Sequence, residues 1–413
     1  MFKHGLTKTA TLLSLSILGL ISLRAEARLP EETKVLFGID VLEREEFAPL
    51  RDKRIGLVTN NAAQDRQGRR TLDVLKEAPD VHLIAIFSPE HGLSATLEAG
   101  AAVKMSTDSQ SGLPVYSLYG DTQRPTRESL KNLDALVFDM QDVGTRFYTY
   151  ATTLAYCLEE ASKAGLEFIV LDRPNPINGL AVEGQMLEPD IKGFTAYLDI
   201  PVRHGMTLGE IARFHNDTAG LGAKLTVINA EGWQRHLWWD QTGLKFNPPS
   251  PNIRTPLTAL LYCGIGCFEA TNVSAGRGTD TPFEVFGAPW MNSKEVVKRL
   301  KAAHLLGVQF KTANFTPQND RYAGQRCRGV QVIVLDRDLI HPIDIFVHTV
   351  MILAKLHPQE FQPRWPEVAM VTGSRELERA VSRGEGPDSI LKLYLHSARV
   401  FEDNRKRFLL YEE

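Results

Sequence analysis

The chain has 413 residues, of which 43% are hydrophobic and 23% are charged. This composition excludes a disordered or fibrous protein and suits two globular domains with ordinary cores. The formal net charge of −3 makes nucleic acid or an anionic membrane surface a poor partner for the protein.

The first 27 residues predict a secretory signal peptide. Lys3 and Lys8 precede an apolar run from Leu12 to Leu23, and the Ala-Glu-Ala sequence of residues 25–27 suits a cleavage site. An uncleaved membrane anchor is the alternative, although the run is shorter than the ~20 residues that a span needs. We therefore expect a secreted, periplasmic protein with no membrane span after cleavage.

Five short apolar segments predict the central strands of a parallel sheet. Their near-continuous hydrophobicity is typical of strands buried on both faces. They cover residues 54–60, 81–89, 134–142, 166–174 and 223–229. Helical patterns lie between them, such as Thr71 to Lys76 and Tyr148 to Lys163. This alternation predicts an α/β fold with a Rossmann-like, doubly wound, mostly parallel sheet.

The pattern changes in the last third of the chain. The proline-rich residues 247–256 predict a rigid loop. After residue 290 a helical pattern over 293–304, a strand pattern over 328–336 and further helical segments follow. We assign a Rossmann-like domain to residues 28–290 and a second, smaller α+β C-terminal domain to residues 291–413.

Several classes of site lack their usual motif. No G-x-G-x-x-G follows the first strand, and the chain has no phosphate-binding G-x-x-x-x-G-K-[ST], no G-x-S-x-G and no H-E-x-x-H. Cys263 and Cys267 lack the C-x-x-C spacing of a zinc site. We expect no metal and no external cofactor. With Cys157 and Cys327 the cysteines allow three full disulfide pairings, among which the sequence does not choose.

Polar side chains follow four successive predicted strands. In open α/β sheets, ligands bind beyond the carboxyl ends of the strands, so we predict a site at this edge. The residues are Asn60 after the first strand, Glu90 and His91 after the second, Asp139 and Asp142 at the third, and Asp172, Arg173 and Asn175 at the fourth. Taken alone, Glu90 is either a catalytic acid or a carboxylate at the start of a helix that follows Gly92, and His91 is either a site residue or a core histidine.

Three loops add further polar groups. Residues 201–210 contain Arg203 and His204, the proline-rich loop contains Asn252, and residues 269–284 contain Asn272, Arg277 and Thr279. Carboxylates, amides and arginines suit the hydroxyls of a sugar, and rings such as that of Tyr148 suit its C–H faces. The aromatic residues are equally suited to a core.

Long motifs make the assignment more specific. FSPEHG (87–92), LVFDMQDVGTRFYTY (136–150), PSPNIRT (249–255) and TNVSAGRGTDTPFEVFGAPW (271–290) closely resemble the NamZ-type exo-β-N-acetylmuramidases, glycoside hydrolase family 171. The resemblance covers nearly everything after residue 27. It implies a Rossmann-like domain plus a smaller domain with the active site between them. Ala270 and Cys263 depart from the Gly and Pro that we expect in this family.

The resemblance also implies a function. Such an enzyme releases N-acetylmuramic acid (MurNAc) from the non-reducing end of peptidoglycan fragments such as its disaccharide with N-acetylglucosamine (GlcNAc), during cell-wall turnover. The proposed catalytic glutamate of the family falls on Glu90. Alternatives are an exported sugar-binding protein without activity, an amidase or esterase, and a β-N-acetylglucosaminidase.

Glycoside hydrolysis requires two functional groups, for which we make explicit assignments. Glu90 is the expected general acid, and His91 orients it or contacts the sugar. Asp142 is our preferred second group, with Asp139, Asp172 and the acetamide of the substrate as alternatives. A guanidinium suits the lactyl carboxylate of MurNAc. The expected substrate-binding residues are Asn60, Asp139, Arg146, Tyr148, Asp172, Arg173, Asn175, Arg203, His204, Asn252, Asn272, Arg277 and Thr279, among which the four arginines are the candidates for this carboxylate. The sequence leaves the oligomeric state open.

Overall fold

The structure, a computed structural model, describes residues 35–413. The predicted signal peptide lies outside the described residues. Within them, no helix combines the length and the apolar character that crossing a membrane requires.

A seven-stranded sheet forms the centre of the fold. Its strands are β1 (Lys53–Thr59), β2 (Val81–Ser88), β3 (Ser106–Thr107), β4 (Pro114–Ser117), β5 (Ala135–Asp139), β6 (Glu167–Leu171) and β7 (Lys224–Ile228). The strand order is β3-β4-β2-β1-β5-β6-β7, and all neighbours are parallel except β3 and β4. From β1 the chain moves outward through β2 and β4, and from β5 it moves outward the other way. The predicted doubly wound fold is confirmed, with its switch point between β1 and β5.

All five predicted strands are present in this sheet. The third and fourth end at Asp139 and Leu171, before the polar residues that we had included in them. Those polar residues leave the strand ladder and form the loops at the carboxyl edge. We did not predict β3 and β4, because two and four residues are too few to show a period.

Helices cover both faces of the sheet. The helices of the described residues are α1 (Gly38–Arg44), α2 (Thr71–Glu77), α3 (Arg127–Leu130), α4 (Tyr150–Ala164), α5 (Leu208–Thr218), α6 (Pro256–Ile265), α7 (Ser293–Ala302), α8 (Pro342–Leu356), α9 (Trp365–Thr372), α10 (Glu376–Arg383) and α11 (Pro387–Arg405). Val58 and Phe138 point into the core under α4 and α5, whereas Leu57 and Val137 point into the core under α1 and α2. Because successive strand side chains face opposite sides, strands buried on both faces read as continuous apolar runs.

A smaller antiparallel sheet follows in the chain. Its strands are β8 (Val285–Ala288), β9 (Val308–Phe315) and β10 (Cys327–Val334), in the order β8-β10-β9. Phe286 and Val330 of this sheet belong to the same hydrophobic core as Phe138 of the large sheet. Our boundary at residue 290 stays a prediction. All four cysteines are buried and free.

Candidate active-site cleft

A cleft of about 380 Å³ lies at the end of β2 and the start of α4. It is lined by Glu90, His91, Ala99, Tyr119, Gln123, Phe147, Tyr148, Thr149, Phe194, Thr195, Ser250, Asn252, Ile253, Tyr262, Glu269, Arg277, Phe283 and Met370. Five of the predicted site residues therefore meet here: Glu90, His91, Tyr148, Asn252 and Arg277. Met370 of α9 is the only lining residue that follows residue 290.

The Glu90 carboxylate is held by two donors from separate segments. Its Oε2 accepts a hydrogen bond from Thr149 Oγ1 at 2.7 Å, and its Oε1 accepts one from the Gly100 amide at 3.0 Å. Residues 90–95 form turns, so the helix after Gly92 that the alternative interpretation required is not present. Glu90 instead lies beside Thr149, the residue that immediately precedes α4. It lines the cleft while being only 7% exposed.

Two tyrosines supply hydroxyl groups around Glu90. Burial, and then the negative charge of Glu90, raise the pKa of Tyr119 to about 12. Tyr150 Oη donates to the Pro249 carbonyl at 2.8 Å and accepts from Asn60 Nδ2 at 2.8 Å. Asn60 thus lies behind the cleft and does not line it. Burial also raises the pKa of Tyr150, so both phenols keep their protons at ordinary pH.

His91 combines an unusual backbone conformation with a defined tautomer. Its φ of 72° lies in the left-handed region, which costs a non-glycine residue about 1–2 kcal/mol. Its Nδ1 lies 2.7 Å from the Leu97 carbonyl oxygen, which only accepts, so Nδ1 carries the proton. Nε2 of the neutral ring is consequently an acceptor. Strained residues of this kind concentrate at functional sites.

A second carboxylate of the cleft, Glu269, was missed by our sequence reasoning. Its Oε1 lies 2.8 Å from Nη1 of Arg277, whose Nε lies 2.8 Å from Asp320 Oδ2 and whose Nη2 lies 3.8 Å from Glu98 Oε2. Burial raises the pKa of Glu269, and the charge of Arg277 opposes this effect. Glu269 opens the polar loop 269–284, but no spacing rule singles it out in the sequence.

The remaining lining residues are mainly aromatic. The rings of Phe147 and Tyr262 pack edge to face with centroids 5.0 Å apart, and Tyr262 and Phe283 do so at 4.8 Å. Rings beside carboxylates and hydroxyls match the apolar faces and hydroxyl groups of a sugar. Of these lining aromatic residues, we had predicted Tyr148. The others were not predicted, because an aromatic residue that lines a cleft cannot be distinguished by sequence from one that fills a core.

Asp139 and Arg173 pair with each other outside the cleft. Arg173 Nη2 donates to Asp139 Oδ2 at 2.9 Å, and Thr71 Oγ1 donates to the same oxygen at 2.5 Å. The Arg173 guanidinium also lies 4.4 Å from the centroid of the Phe37 ring. Both side chains of the pair are buried. Their hydrogen-bonding groups are directed to the protein itself.

Asp172 and Asn175 likewise make internal contacts. Asp172 accepts hydrogen bonds from Thr207 Oγ1 at 2.6 Å, the Gly209 amide at 2.8 Å and Tyr411 Oη at 2.5 Å. Burial raises the pKa of Asp172 to about 6. Asn175 Nδ2 donates to the carbonyl of Met206 at 2.9 Å. These contacts tie the start of α5 to the end of β6.

Asp142 and His204 face each other in the interior. Asp142 Oδ2 accepts from the Gly144 amide at 2.7 Å, and His204 Nδ1 accepts from the Met206 amide at 3.1 Å. The proton of the neutral His204 ring is therefore on Nε2, which lies 3.3 Å from Asp142 Oδ2. Neither residue lines the cleft.

Of the four candidate arginines, only Arg277 reaches the cleft. Arg146 donates to the carbonyls of Gln185, Ile200, Met370 and Val371, and burial lowers its pKa to about 10. Arg203 Nη1 donates to Glu183 Oε1 at 2.7 Å in another buried pair.

The last two predicted residues bond to nearby backbone. Asn272 Nδ2 donates to the Glu360 carbonyl at 2.7 Å, and Thr279 Oγ1 donates to the Gly276 carbonyl at 2.6 Å. Across residues 35–413, no group of three His, Cys, Asp or Glu side chains is arranged to hold a metal ion.

The fold and the cleft together define a class. The doubly wound sheet places Glu90 after the carboxyl end of β2, and the segment that follows α6 adds Glu269 to the same small, aromatic-lined cleft. This is the chemistry of a saccharide-cleaving α/β enzyme.

Comparison with known proteins makes the class specific. Residues 55–257 match the N-terminal family model of the exo-β-N-acetylmuramidase NamZ, and residues 260–411 match the C-terminal model. The chain is 41% identical over 382 residues to the peptidoglycan β-N-acetylmuramidase NamZ of Bacillus subtilis, covering 92% of each chain. The chain belongs to the NamZ family and is a glycosidase, which confirms the resemblance seen in the motifs.

Two solved structures share the fold. A DUF1343 family protein from Bacteroides fragilis matches with a TM-score of 0.86 and 34% identity, over 92% of this chain and 100% of that chain. A second DUF1343 family protein from the same organism matches with a TM-score of 0.74 and 28% identity, over 92% and 100% of the two chains.

Proposed function

We propose that the protein hydrolyses the glycosidic bond of a terminal MurNAc residue in peptidoglycan fragments such as MurNAc-GlcNAc. The observation that carries the proposal is the Glu90 carboxylate, buried and held by Thr149 and Gly100 in the cleft. The volume of about 380 Å³ is near the lower limit of ~300 Å³ for ligand pockets. It suits one terminal sugar ring, and hence exo-cleavage.

In this proposal Glu90 is the general acid. A hydroxyl both donates and accepts, so the Thr149 contact persists whether or not Glu90 carries the proton. The carboxyl group can therefore deliver a proton to the leaving oxygen and regain it without losing its position. His91 Nε2, a lone-pair acceptor, is available to a hydroxyl of the sugar.

We propose Glu269 as the group that assists at the anomeric carbon. It lines the same cleft as Glu90, whereas Asp142, our candidate from the sequence, faces His204 outside the cleft. Glu269 acting on a water molecule predicts inversion, and Glu269 acting as nucleophile predicts retention. Proton NMR of the first-formed sugar anomer distinguishes the two.

We propose Arg277 as the partner of the lactyl carboxylate. Its counter-ions Glu98 and Asp320 have side chains that are 57% and 40% exposed, so both can turn toward solvent when a substrate carboxylate binds. Arg277→Met should lower kcat/KM for a MurNAc glycoside about tenfold or more, because a hydrogen bond to a charged group contributes about 1.5–3 kcal/mol. Arg277 also contacts Glu269, and the loss through that contact is common to both glycosides, so the MurNAc glycoside should lose about tenfold more than the GlcNAc glycoside. An equal loss on both glycosides would contradict the role in binding the lactyl carboxylate.

The decisive experiment uses the mature protein and MurNAc-GlcNAc, with a chromogenic MurNAc glycoside as a second substrate. We expect release of MurNAc by the wild type and almost none by Glu90→Gln. Glu128→Gln is the matched control, since the Glu128 side chain is 86% exposed and does not line the cleft. Wild-type turnover by Glu90→Gln would contradict the assignment of the acid. Mass analysis that finds a cleaved amide or ester, or no product at all, would contradict the function.

We further propose export to the periplasm after cleavage behind Ala27. The charged start, apolar run and small residues of the first 27 positions support this. Cell fractionation followed by intact-mass measurement should find a periplasmic chain that begins at Arg28. A full-length chain in the membrane fraction would support the anchor instead.

A further inference from the structure

A second cleft, of about 360 Å³, lies among the loop that contains Glu183, the first turn of α8 and one face of α11. It shares no lining residue with the cleft around Glu90. Three carboxylates line it, those of Glu183, Asp344 and Asp388. None of them has a role in the proposed hydrolysis.

Glu183, 4% exposed, leaves one oxygen without a hydrogen-bond partner in this cleft. Its Oε1 accepts from Arg203, and its backbone pairs with that of Arg203, so the side chain is held in place. Its Oε2 accepts no hydrogen bond from the described residues, and His341 Nδ1 lies 3.7 Å away. A buried carboxylate oxygen without a donor costs several kcal/mol. His341, whose pKa is raised by Glu183, is the nearest cation, but its nitrogen lies beyond hydrogen-bond distance, so the oxygen can still accept from a donor outside the chain.

Asp344 lines the same cleft as this oxygen, and within residues 35–413 its carboxylate makes no hydrogen bond and no ion pair shorter than 4 Å. Burial, followed by the negative charge of Glu183, raises the pKa of Asp344 to about 7. Two carboxylates that line one cleft favour the binding of either a proton or a cation there, and the charge of His341 partly offsets this effect at Asp344. Asp388, which is exposed, adds a third negative charge at the rim.

The rest of the wall identifies the kind of cation. Ile343, Leu391 and Leu395 line the cleft, and Leu395 is 53% exposed despite being apolar. The described residues contain no group of three acidic, His or Cys side chains suited to a metal ion. An ammonium group donates three hydrogen bonds, and an attached aliphatic chain would cover the apolar wall.

We propose that the second cleft binds an alkylammonium ligand, an aliphatic chain that ends in a primary amine, with Glu183 and Asp344 as acceptors of its hydrogen bonds. Asp388 attracts the ammonium group at the rim, and His341 and Lys392 are the competing cations of the wall. A lysine-like side chain has this chemistry, whether it is free or part of a peptide. The site is independent of the proposed hydrolysis.

Isothermal titration of the full chain with cadaverine tests the proposal. We expect saturable one-to-one binding of cadaverine and none of 1,5-pentanediol, which has the same chain and no charge. Titration with Nα-acetyl-lysine amide tests an amine on a peptide-like group. The corresponding alanine compound, which lacks the side-chain amine, is its control. Sodium or magnesium chloride at equal ionic strength tests whether any cation suffices.

Asp344→Asn is the informative variant, because Glu183→Gln would also leave Arg203 buried without its counter-ion. Asp344→Asn should bind cadaverine about tenfold or more weakly, as expected for loss of an ionic hydrogen bond. The exposed Asp403→Asn is the control and should bind normally. Turnover of the MurNAc glycoside should be unchanged in Asp344→Asn, so this test and that of the hydrolase can fail separately. Equal binding by wild type and Asp344→Asn, equal binding of the diol, or no saturation would overturn the proposal.

Discussion

The carboxyl ends of β2 and of β5 and β6 look alike in sequence but differ in what their polar groups contact. Glu90, after β2, takes its hydrogen bonds from Thr149 and Gly100 and still lines the cleft. Asp139 and Asp172, at the ends of β5 and β6, accept hydrogen bonds from other residues of the protein and do not line the cleft that contains Glu90. A polar residue at a strand end therefore belongs to the site only where the chain leaves space beside it.

The largest expected effect distinguishes the two groups by activity. Glu90→Gln should lower turnover of a MurNAc glycoside by about 10²–10⁴-fold, the range for loss of a general acid. Its unfolding midpoint in urea should change little, because Gln retains an acceptor for Thr149 or Gly100. A large loss of stability together with activity would show that Glu90 resembles the β5 and β6 residues after all.

Asp139→Asn should show the opposite pattern. Removing this charge leaves the Arg173 guanidinium buried without its counter-ion, which costs about 3–5 kcal/mol of folding free energy. Turnover per folded molecule should remain near that of the wild type. Urea unfolding measures the first quantity, and Asp134→Asn, in the exposed pair with Arg54, is the control with little expected change. Wild-type stability in Asp139→Asn would show that Asp139 does not stabilise the fold and would contradict the distinction between Asp139 and Glu90.

Asp172 should make stability depend on pH. Its pKa of about 6 in the folded protein is above the ordinary value of 3.8, so the folded state binds the proton more tightly. The contribution is fully present below pH 3.8 and is lost as the pH rises through about 6. Two pKa units correspond to about 3 kcal/mol. Urea unfolding at intervals from pH 4 to 7 should show this slope in the wild type and a smaller slope in Asp172→Asn. Identical slopes would contradict the shift.

The smallest effect concerns the backbone of His91. His91→Gly removes the cost of the left-handed conformation at φ 72°, whereas His91→Ala keeps that cost. Both variants lose the imidazole and should lose activity equally. His91→Gly should nevertheless be more stable than His91→Ala by about 1 kcal/mol in thermal or urea unfolding. Equal stability would show that the turn after β2 relaxes around the substituted residue.

Much of the fold follows from local patterns. The apolar runs at β1, β2 and β5 identify buried strands because both faces of each strand are covered. Gly165 ends α4 in the left-handed conformation that glycine adopts most easily, so that boundary was also visible. The long motifs around Glu90 and Arg277 were specific enough to indicate the family.

The composition of the cleft was only partly visible. Glu269 and Tyr119 line the same cleft as Glu90 but belong to other segments of the chain. The periodicity of a sequence does not predict contacts between separate segments. Arg146 and Arg203 were predicted to bind substrate because the sequence does not show whether an arginine pairs with a ligand, with a backbone carbonyl, as Arg146 does, or with a carboxylate of the chain, as Arg203 does.

By itself, the sequence determined the strands, the polar character of their ends and the family, since these depend on neighbouring residues and on long motifs. The tertiary structure decided which strand ends face open space. It did so because a charged side chain brought into the interior must find a partner, and only folding shows what that partner is. Asp139 pairs with the buried Arg173, whereas Glu90 is held by Thr149 and Gly100 and still lines the cleft.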